Sequence, residues 1–537
     1  MWRLLLWNSV KAVKKAHFQP VFNKVARKWA SSSSLESSVS ELATVLASTR
    51  PTFFIPAASV QVLSEPSEFY NALLIMIRKA EKRIFLSSLY IGAEETELME
   101  ALQNRLREKP HLQVDILLDL NRSTRPGRDS TAQILLPLLR EFDSRVRVSM
   151  FRSPNLRGTL AKVVPPRFNE GWGTWHAKIY GADDDVMISG ANLNKSYFTD
   201  RQDRYLVFRG LPDVSGYCLD FMRTAKKFSY TLSLPSSRAS QRTQYSITND
   251  EYELHWPMPA THPHNFNSIA EAAFIDLQKT VRERLLNGAY SKRSRSSQDI
   301  MLVPLIQAGQ FNIREEESLF QQLFLHLSRV DPTKRPLLDL TSGYFSLYKP
   351  YQDLLLSNHN VDCRIVASSP KANGFYGSRG ISGRIPEGYT LFEQRFMTAV
   401  EKAGRRWHLA ASETQGRGVL LNEWEKEGWT YHAKGIWLSP NTSTPPILTL
   451  FGSTNLNSRS SQIDTELSFL MIIPPEESCQ NARVEPCLDA HSPIASLRED
   501  LAREVQHIRS NADRWKGETR PIRFTTKMIV SVLKGML

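Results

Sequence analysis

Cysteine is scarce in this chain. Four residues in 537 (Cys218, Cys363, Cys479, Cys487) form no CxxC pair and no cysteine–histidine set at zinc spacing. That excludes a disulfide framework and a structural zinc site, and it fits a reducing compartment. Long apolar runs are missing too. The densest, Phe469-Leu470-Met471-Ile472-Ile473, stops at Pro474-Pro475, far short of the roughly 20 residues a spanning helix needs. Integral insertion by that route is therefore excluded, and peripheral attachment stays open. Nor is there a GxxxxGK[ST] cradle for nucleotide phosphates. Acid is absent from the first 35 residues: the first carboxylate is Glu36, after Arg3, Lys11, Lys14, Lys15, Lys24, Arg27 and Lys28.

What is present describes a folded protein of two or three domains. Hydrophobic residues make up 41% and charged residues 23%, with a formal net charge of +13. Such a surplus favours an anionic partner: nucleic acid, an acidic membrane or a phosphorylated small molecule. The acid-free leader spaces Leu6, Val10 and Val13 at helical intervals and ends in Ser31–Ser34. Residues 1–35 therefore have the character of a mitochondrial presequence, with a retained membrane-surface helix as the alternative. At the other end, residues 516–537 form a basic amphipathic helix around Phe524, Met528, Val532, Leu533 and Met536. It suits either an anionic bilayer or packing on the body.

Between these ends the pattern is α/β and it occurs twice. Ser64-Glu65-Pro66 starts a helix with Phe69, Leu73, Leu74, Ile77 and Ala80 on one face, and buried strands follow at 83–90 and 114–120. The segment before residue 55 carries no strong signal. In the second half a helix at 318–327 precedes strands at 337–341 and 361–367. The expected organisation is a first unit at 55–235, a linker and insert at 236–300, and a second unit at 301–515, related by internal duplication. Within the insert, Phe274, Leu277, Val281 and Leu285 predict a helix ending at Gly288, and the flanking serine–arginine stretches read as links.

Each half ends in the same grammar. His176-Ala177-Lys178 leads to Asn192-Leu193-Asn194 and then Asp203; His432-Ala433-Lys434 leads to Asn455-Leu456-Asn457 and then Glu466. In both copies the acid stands eleven residues after the first asparagine. Residues i and i+2 of a strand share a face, so each histidine projects with its lysine. If the halves face each other, two imidazoles, two ammonium groups and two amides converge on one point. That set suits phosphate. Lysines offset charge on the non-bridging oxygens and amides fix orientation. One histidine attacks phosphorus while the other protonates the leaving oxygen. Asp203 and Glu466 suit the third role, holding the far imidazole nitrogen in one tautomer. No metal or other cofactor is required by this chemistry, and divalent-ion dependence is left open.

These residues resemble the HxKxxxxD signature of the phospholipase D superfamily, whose members form a covalent phosphohistidine. His176, Lys178 and Asp183 fit it in full, whereas the second copy has Ser439 in place of the aspartate and a longer loop containing Pro445-Pro446. The sequence from about residue 58 onward is also similar to the mitochondrial phosphatidylglycerophosphate synthases of that superfamily. Ser189-Gly190-Ala191-Asn192-Leu193, Ser196-Tyr197-Phe198, Arg201-Gln202-Asp203-Arg204-Tyr205, Arg395-Phe396 and Gly428-Trp429-Thr430-Tyr431-His432-Ala433-Lys434-Gly435 carry the likeness.

The resemblance implies two phospholipase D-like domains, each a mixed sheet flanked by helices, with one active site at their interface. It implies transfer of a phosphatidyl group from CDP-diacylglycerol to sn-glycerol 3-phosphate, with His176 as nucleophile and His432 as acid–base. The setting it implies is peripheral, on the matrix side of the anionic mitochondrial inner membrane, with no nucleic-acid partner. A nucleotide-binding stretch, ATP included, is implied near Ser87, Ser88, Leu89, Tyr90, Ile91, Gly92, Ala93 and Glu94. Arg122, Arg125 and Arg128, after a strand, suit substrate phosphate or form a solvated loop. Rival readings are a phosphatidylserine or cardiolipin synthase, a phosphodiesterase or nuclease, and an inactive lipid-binding scaffold.

Overall fold

The computed structural model describes residues 34–127, 129–158, 164, 166–235, 244–287, 296–408, 416–474 and 492–533. The leader up to residue 33, Arg128, Cys479, Cys487, Gly288 and most of the two serine–arginine links lie outside the described residues.

Two ten-stranded mixed sheets carry the chain, and their central parts repeat one another. In the first, strands Arg83–Ser87, Gln113–Asp119 and Val146–Phe151 run parallel. Ile179–Ala182, Asp185–Ser189 and Tyr205–Phe208 then extend the sheet antiparallel from Arg83–Ser87. The second repeats that order. Leu337–Ser342, Asp362–Ser368 and Val419–Trp424 are parallel. Lys434–Ser439, Leu448–Gly452 and Glu466–Ile472 extend antiparallel from Leu337–Ser342. Helices cover the sheets, as βαβ crossovers between parallel strands require. This is the duplicated α/β architecture expected from the sequence.

The helices form where apolar spacing and end signals agree. Pro66 opens helix Pro66–Lys79, Glu68 turns back to accept from the Glu65 N–H at 3.1 Å, and Phe69, Leu73, Leu74 and Ile77 are buried. The insert helix Asn267–Asn287 buries Phe274, Leu277, Val281 and Leu285.

The segment before residue 55 is part of the fold, contrary to its weak signal. Helix Ser34–Thr49 buries Leu35, Val39, Leu42 and Leu46 in the second half's core. Five serines lower its intrinsic helix preference, so packing rather than propensity makes it helical. Strand Phe53–Pro56 pairs with the second half's Asp299–Ala308, whereas Val60–Leu63, after one short turn, pairs with the first half's Tyr205–Phe208.

Helix Phe524–Leu533 near the C-terminus packs on helix Ile385–Lys402. Val530 lies against Gly388, and Arg523 donates to Glu387 at 2.9 Å. Its outer side leaves Phe524 73% and Met528 57% exposed. No helix among the described residues is long and apolar enough to cross a membrane.

One side chain pins the halves together. Arg204, in the first half, is buried inside the second. It donates to both Glu504 oxygens at 2.8 and 2.9 Å, to the Leu450 carbonyl and to Thr449, and it stacks 3.8 Å over the Trp437 ring. Gly435, at φ +132°, has no room for a Cβ because the Leu450 carbonyl and the Arg204 guanidinium fill that space. Removing Arg204 leaves Glu504 as an uncompensated buried charge. Arg204→Ala is therefore expected to cost about 3–5 kcal/mol in urea denaturation, and Glu504→Gln in the same background should recover part of it. Unchanged stability in Arg204→Ala would contradict this role.

Candidate functional site

The site is built by backbone pairing across the halves. The Thr430 N–H donates to the Asp200 carbonyl at 2.9 Å and the His432 N–H to the Gln202 carbonyl at 2.8 Å, within a two-stranded parallel pair. On the related side, Thr465 N–H donates to Thr174 and His176 N–H to Thr465, both at 2.9 Å. In each case the next residue is the acid. The two histidines consequently stand just outside the regular ladders, which begin at Ile179 and Lys434. Their N–H groups are committed to the opposite half instead.

This register crosses the acids over. His432 Nδ1 lies 2.7 Å from Asp203, and His176 Nδ1 lies 2.9 and 3.0 Å from the two oxygens of Glu466. Each half supplies the acid for the other half's histidine, a partnership the eleven-residue spacing alone does not specify. With Nδ1 engaged, Nε2 is the nitrogen left for chemistry. Among the described residues no hydrogen-bond partner stands at His176 Nε2, while His432 Nε2 lies 3.4 Å from the Tyr197 hydroxyl. The His176 side chain is 11% exposed and that of His432 4%.

Both lysines are buried. Lys178 Nζ donates to the His176 carbonyl, and Lys434 Nζ donates to Asp203 at 3.2 Å. Gly190 is required here, because any Cβ would occupy the space of the Lys434 ammonium and Asp203 carboxylate. Asn192 accepts from the Leu89 N–H at 3.3 Å and donates to the Tyr197 hydroxyl at 3.1 Å. Asn455 is buried with its side-chain oxygen unpartnered among the described residues.

Burial dominates the electrostatics. It lowers both imidazoles, His432 well below its ordinary value, with Lys434 pushing the same way. Both rings are thus neutral near pH 7. Burial also brings Lys178 down to about 7. Burial alone would raise Glu466, but the charge and hydrogen bond of His176, Lys178 and the Ser453 hydroxyl overcome it and hold the carboxyl down to about 2. Ser460 adds a donor to Glu466 at 2.7 Å. Neutral nucleophilic nitrogens, buried lysines and fixed amides are equipped for displacement at phosphorus.

Other residues singled out by the sequence lie elsewhere. Asp183 is not at the site. At φ +51° it occupies the turn after Ile179–Ala182 and accepts from the N–H groups of Glu81, Lys82 and Arg83 at 2.7, 2.8 and 3.0 Å. It anchors the entry to a strand. The corresponding entry in the second half is Arg335-Pro336-Leu337, opposite Ser439. Pro336 has no N–H, so the second copy loses the aspartate together with one of the donors it would serve.

Residues 87–94 support the site and offer no phosphate cradle. Ser87 donates to the Ala177 carbonyl, and the N–H groups of Ser88, Leu89, Ile91 and Gly92 go to Leu117, Asn192, Thr131 and Leu193. Ala93 and Glu94 are exposed, and Glu94 pairs with Lys195 at 2.9 Å. Tyr90 faces Arg122, whose guanidinium lies 4.2 Å over its ring. Arg122 is 3.9 Å from Glu170 and Arg125 is paired with it, so this arginine loop is partly neutralised.

Matching the two copies position by position exposes residues that motif reading passes over. Tyr197 and Ser460 are equivalent, as are Gly190 and Ser453, and Arg201 and Asp464. Tyr197 reaches His432, with ring centroids 5.1 Å apart, whereas Ser460 reaches Glu466. Tyr344, the counterpart of Tyr90, lies 5.4 Å from the His432 ring.

No protein-family model matches the chain. A protein of Schizosaccharomyces pombe named CDP-diacylglycerol–glycerol-3-phosphate 3-phosphatidyltransferase is 37% identical over 461 residues, spanning 80% of this chain and 88% of that protein. The human protein of that name, designated mitochondrial, is 34% identical over 438 residues, spanning 79% and 75%. Among solved structures, a phosphatidylserine synthase from Haemophilus influenzae superimposes with a TM-score of 0.60 at 19% identity. It covers 92% of this chain and 98% of its own, a likeness of fold.

Nitrogen-15 NMR of labelled histidine is expected to show His176 and His432 neutral at pH 7 with the proton on Nδ1. Glu466→Gln should lower the His176 pKa further, because Glu466 is the charge that opposes the effect of burial. An unchanged or higher value in that variant would contradict the pairing.

Proposed function

The chain belongs to the CDP-diacylglycerol–glycerol-3-phosphate 3-phosphatidyltransferase family, and from that premise we propose how its doubled site performs the reaction. The enzyme transfers the phosphatidyl group from CDP-diacylglycerol to sn-glycerol 3-phosphate and releases CMP. The product, phosphatidylglycerophosphate, leads to phosphatidylglycerol and cardiolipin.

In the first displacement His176 Nε2 attacks the phosphorus that carries diacylglycerol. A phosphorus–nitrogen bond forms, the bond to the CMP oxygen breaks, and protonated His432 gives its proton to that oxygen. In the second, His432 takes the proton of the glycerol hydroxyl, whose oxygen attacks phosphorus and releases His176. The open Nε2 and greater exposure of His176, against the covered Nε2 of His432, support this division of roles. The carrying observation is the crossed pairing, which leaves one Nε2 from each half available. Burial disfavours the imidazolium in the empty site, and the substrate's diphosphate opposes that effect by bringing negative charge beside it. Lys178 and Lys434 supply the positive charge at the non-bridging oxygens, so the mechanism needs no cofactor. Water must be kept from the phosphatidyl-histidine until the acceptor arrives.

The enzyme is mitochondrial. We assign it to the matrix side of the inner membrane as a peripheral protein, a reading supported by the basic leader and by the outer side of helix Phe524–Leu533. Phe524 and Met528, one turn apart with Lys527 beside them, fit an anionic bilayer surface.

CMP release should require glycerol 3-phosphate and not respond to serine; release driven by serine alone would overturn the acceptor. His176→Ala and His432→Ala should each lower kcat by about 10³-fold or more. A phosphatidyl adduct should be trapped on His176 in His432→Ala, and an adduct on any other residue would sink the assignment. Because Lys178 loses its charge as pH rises through about 7, kcat/KM is expected to fall on the alkaline side. Its acid limb should sit below the ordinary imidazole value. Phe524→Glu combined with Met528→Glu should reduce sedimentation with cardiolipin-containing vesicles, and undiminished binding would remove this helix from the membrane contact.

A further inference from the structure

Arg201 stands two residues before Asp203, and its charge is unanswered. Nε donates to the Thr430 hydroxyl at 2.9 Å, and the guanidinium lies 4.5 Å over the Tyr197 ring. Among the described residues no carboxylate comes within ion-pair distance of it. Several other buried or half-buried arginines are matched: Arg204 by Glu504, Arg364 by Asp339, Arg459 by Asp464. Arg405 is spent on the carbonyls of Leu355, Asn358 and Val361. A guanidinium removed from water without an anion is costly, and the cost is relieved when a ligand brings one.

Its surroundings are made for such a ligand. Arg201 Nη2 and the Tyr344 hydroxyl each lie 3.2 Å from where a Cβ on Gly374 would stand, so the glycine leaves the space beside both donors open. The rings of Tyr197 and Tyr344 separate this space from His432, each about one ring away. Arg201 is thus close to the acid–base histidine but not in contact with it. The equivalent position in the second half is Asp464, bound to Arg459 and Thr174. The position that holds a guanidinium beside His432 thus holds an already paired carboxylate in the other half.

The double displacement says what arrives there. Departing CMP and arriving acceptor use the same face of phosphorus, the face served by His432. Glycerol 3-phosphate places the hydroxyl to be deprotonated at one end and a phosphomonoester three carbons away. With the hydroxyl at His432 Nε2, the phosphate points outward past a ring's width. We infer that Arg201, with the Tyr344 hydroxyl, is the subsite for the acceptor's phosphomonoester and selects a phosphorylated acceptor over glycerol. This rests on the reading of the reaction given above.

The experiment compares full-length wild type, Arg201→Gln and Arg201→Lys in mixed micelles containing CDP-diacylglycerol. Arg201→Gln should raise KM for glycerol 3-phosphate by about tenfold or more, a larger factor than for CDP-diacylglycerol or for exchange of labelled CMP into CDP-diacylglycerol. Arg201→Lys, keeping charge but losing the fork, should fall between. With glycerol as acceptor, wild type and variants should converge, since no phosphate is there to be held. An unchanged KM for glycerol 3-phosphate overturns the inference. So does CMP exchange falling by the same factor, which would put Arg201 on the donor's phosphate or on His432. Should Arg201→Gln not fold, the KM of Arg201→Lys decides by the same criterion. Wild type that releases no CMP in response to glycerol 3-phosphate rejects the reaction itself, a result separate from either variant's.

Discussion

Two short stretches of crossed backbone pairing carry the whole arrangement. Thr430-Tyr431-His432 runs beside Arg201-Gln202, and Trp175-His176 beside Thr465. Because the acid is the next residue in each guest strand, register fixes carboxylate against imidazole without any search by the side chains. Fixed geometry of this kind is what electrostatic catalysis requires, since nothing has to reorganise when charge develops. A slip of one residue would turn the acid to the other face. Arg204, immediately after Asp203 and buried among Glu504, Thr449 and Trp437, opposes such a slip.

Much of this was legible in the residues. The apolar face at Phe69, Leu73, Leu74 and Ile77 declared its helix, and the duplication followed from the repeated helix–strand pattern. Histidine, lysine, asparagine and acid declared themselves by recurring in order. What the spacing could not carry was partnership. Eleven residues from asparagine to acid say nothing about which histidine that acid serves, because the answer lies in pairing between segments more than two hundred residues apart. Helix Ser34–Thr49 was hidden for a different reason: its serines weaken the local signal, and its stripe has meaning only against a core formed later in the chain. The nucleotide-binding stretch at 87–94 was implied only by the resemblance, and a sequence does not show that backbone N–H groups there are already spent.

Duplication gives symmetry, and the reaction needs its opposite. In the proposed reaction one histidine meets a lipid phosphate openly while the other handles protons under cover. The chain achieves this at matched positions: tyrosine against serine at 197 and 460, arginine against aspartate at 201 and 464, glycine against serine at 190 and 453. Glu466 gains two hydroxyl donors and a carboxyl held near 2. Asp203 instead presents one oxygen to both His432 and Lys434, while its other oxygen accepts from the Arg204 N–H. The catalytic quartet is kept twice, and the difference between its two roles is written in the residues around it.

The N-terminal route through the fold bears on how the protein is made. Helix Ser34–Thr49 and strand Phe53–Pro56 belong to the second half's core and sheet, yet they leave the ribosome before either half exists. Their partner strand, Asp299–Ala308, is synthesised some 245 residues later. The opening segment must therefore wait with its apolar stripe uncovered until the second half condenses, and completion of the fold becomes a long-range event coupling the N-terminal segment to the second half. Leu35, buried at 2% exposure, also sets a limit on maturation. A protease trimming the basic leader past that residue would begin to remove the second half's core.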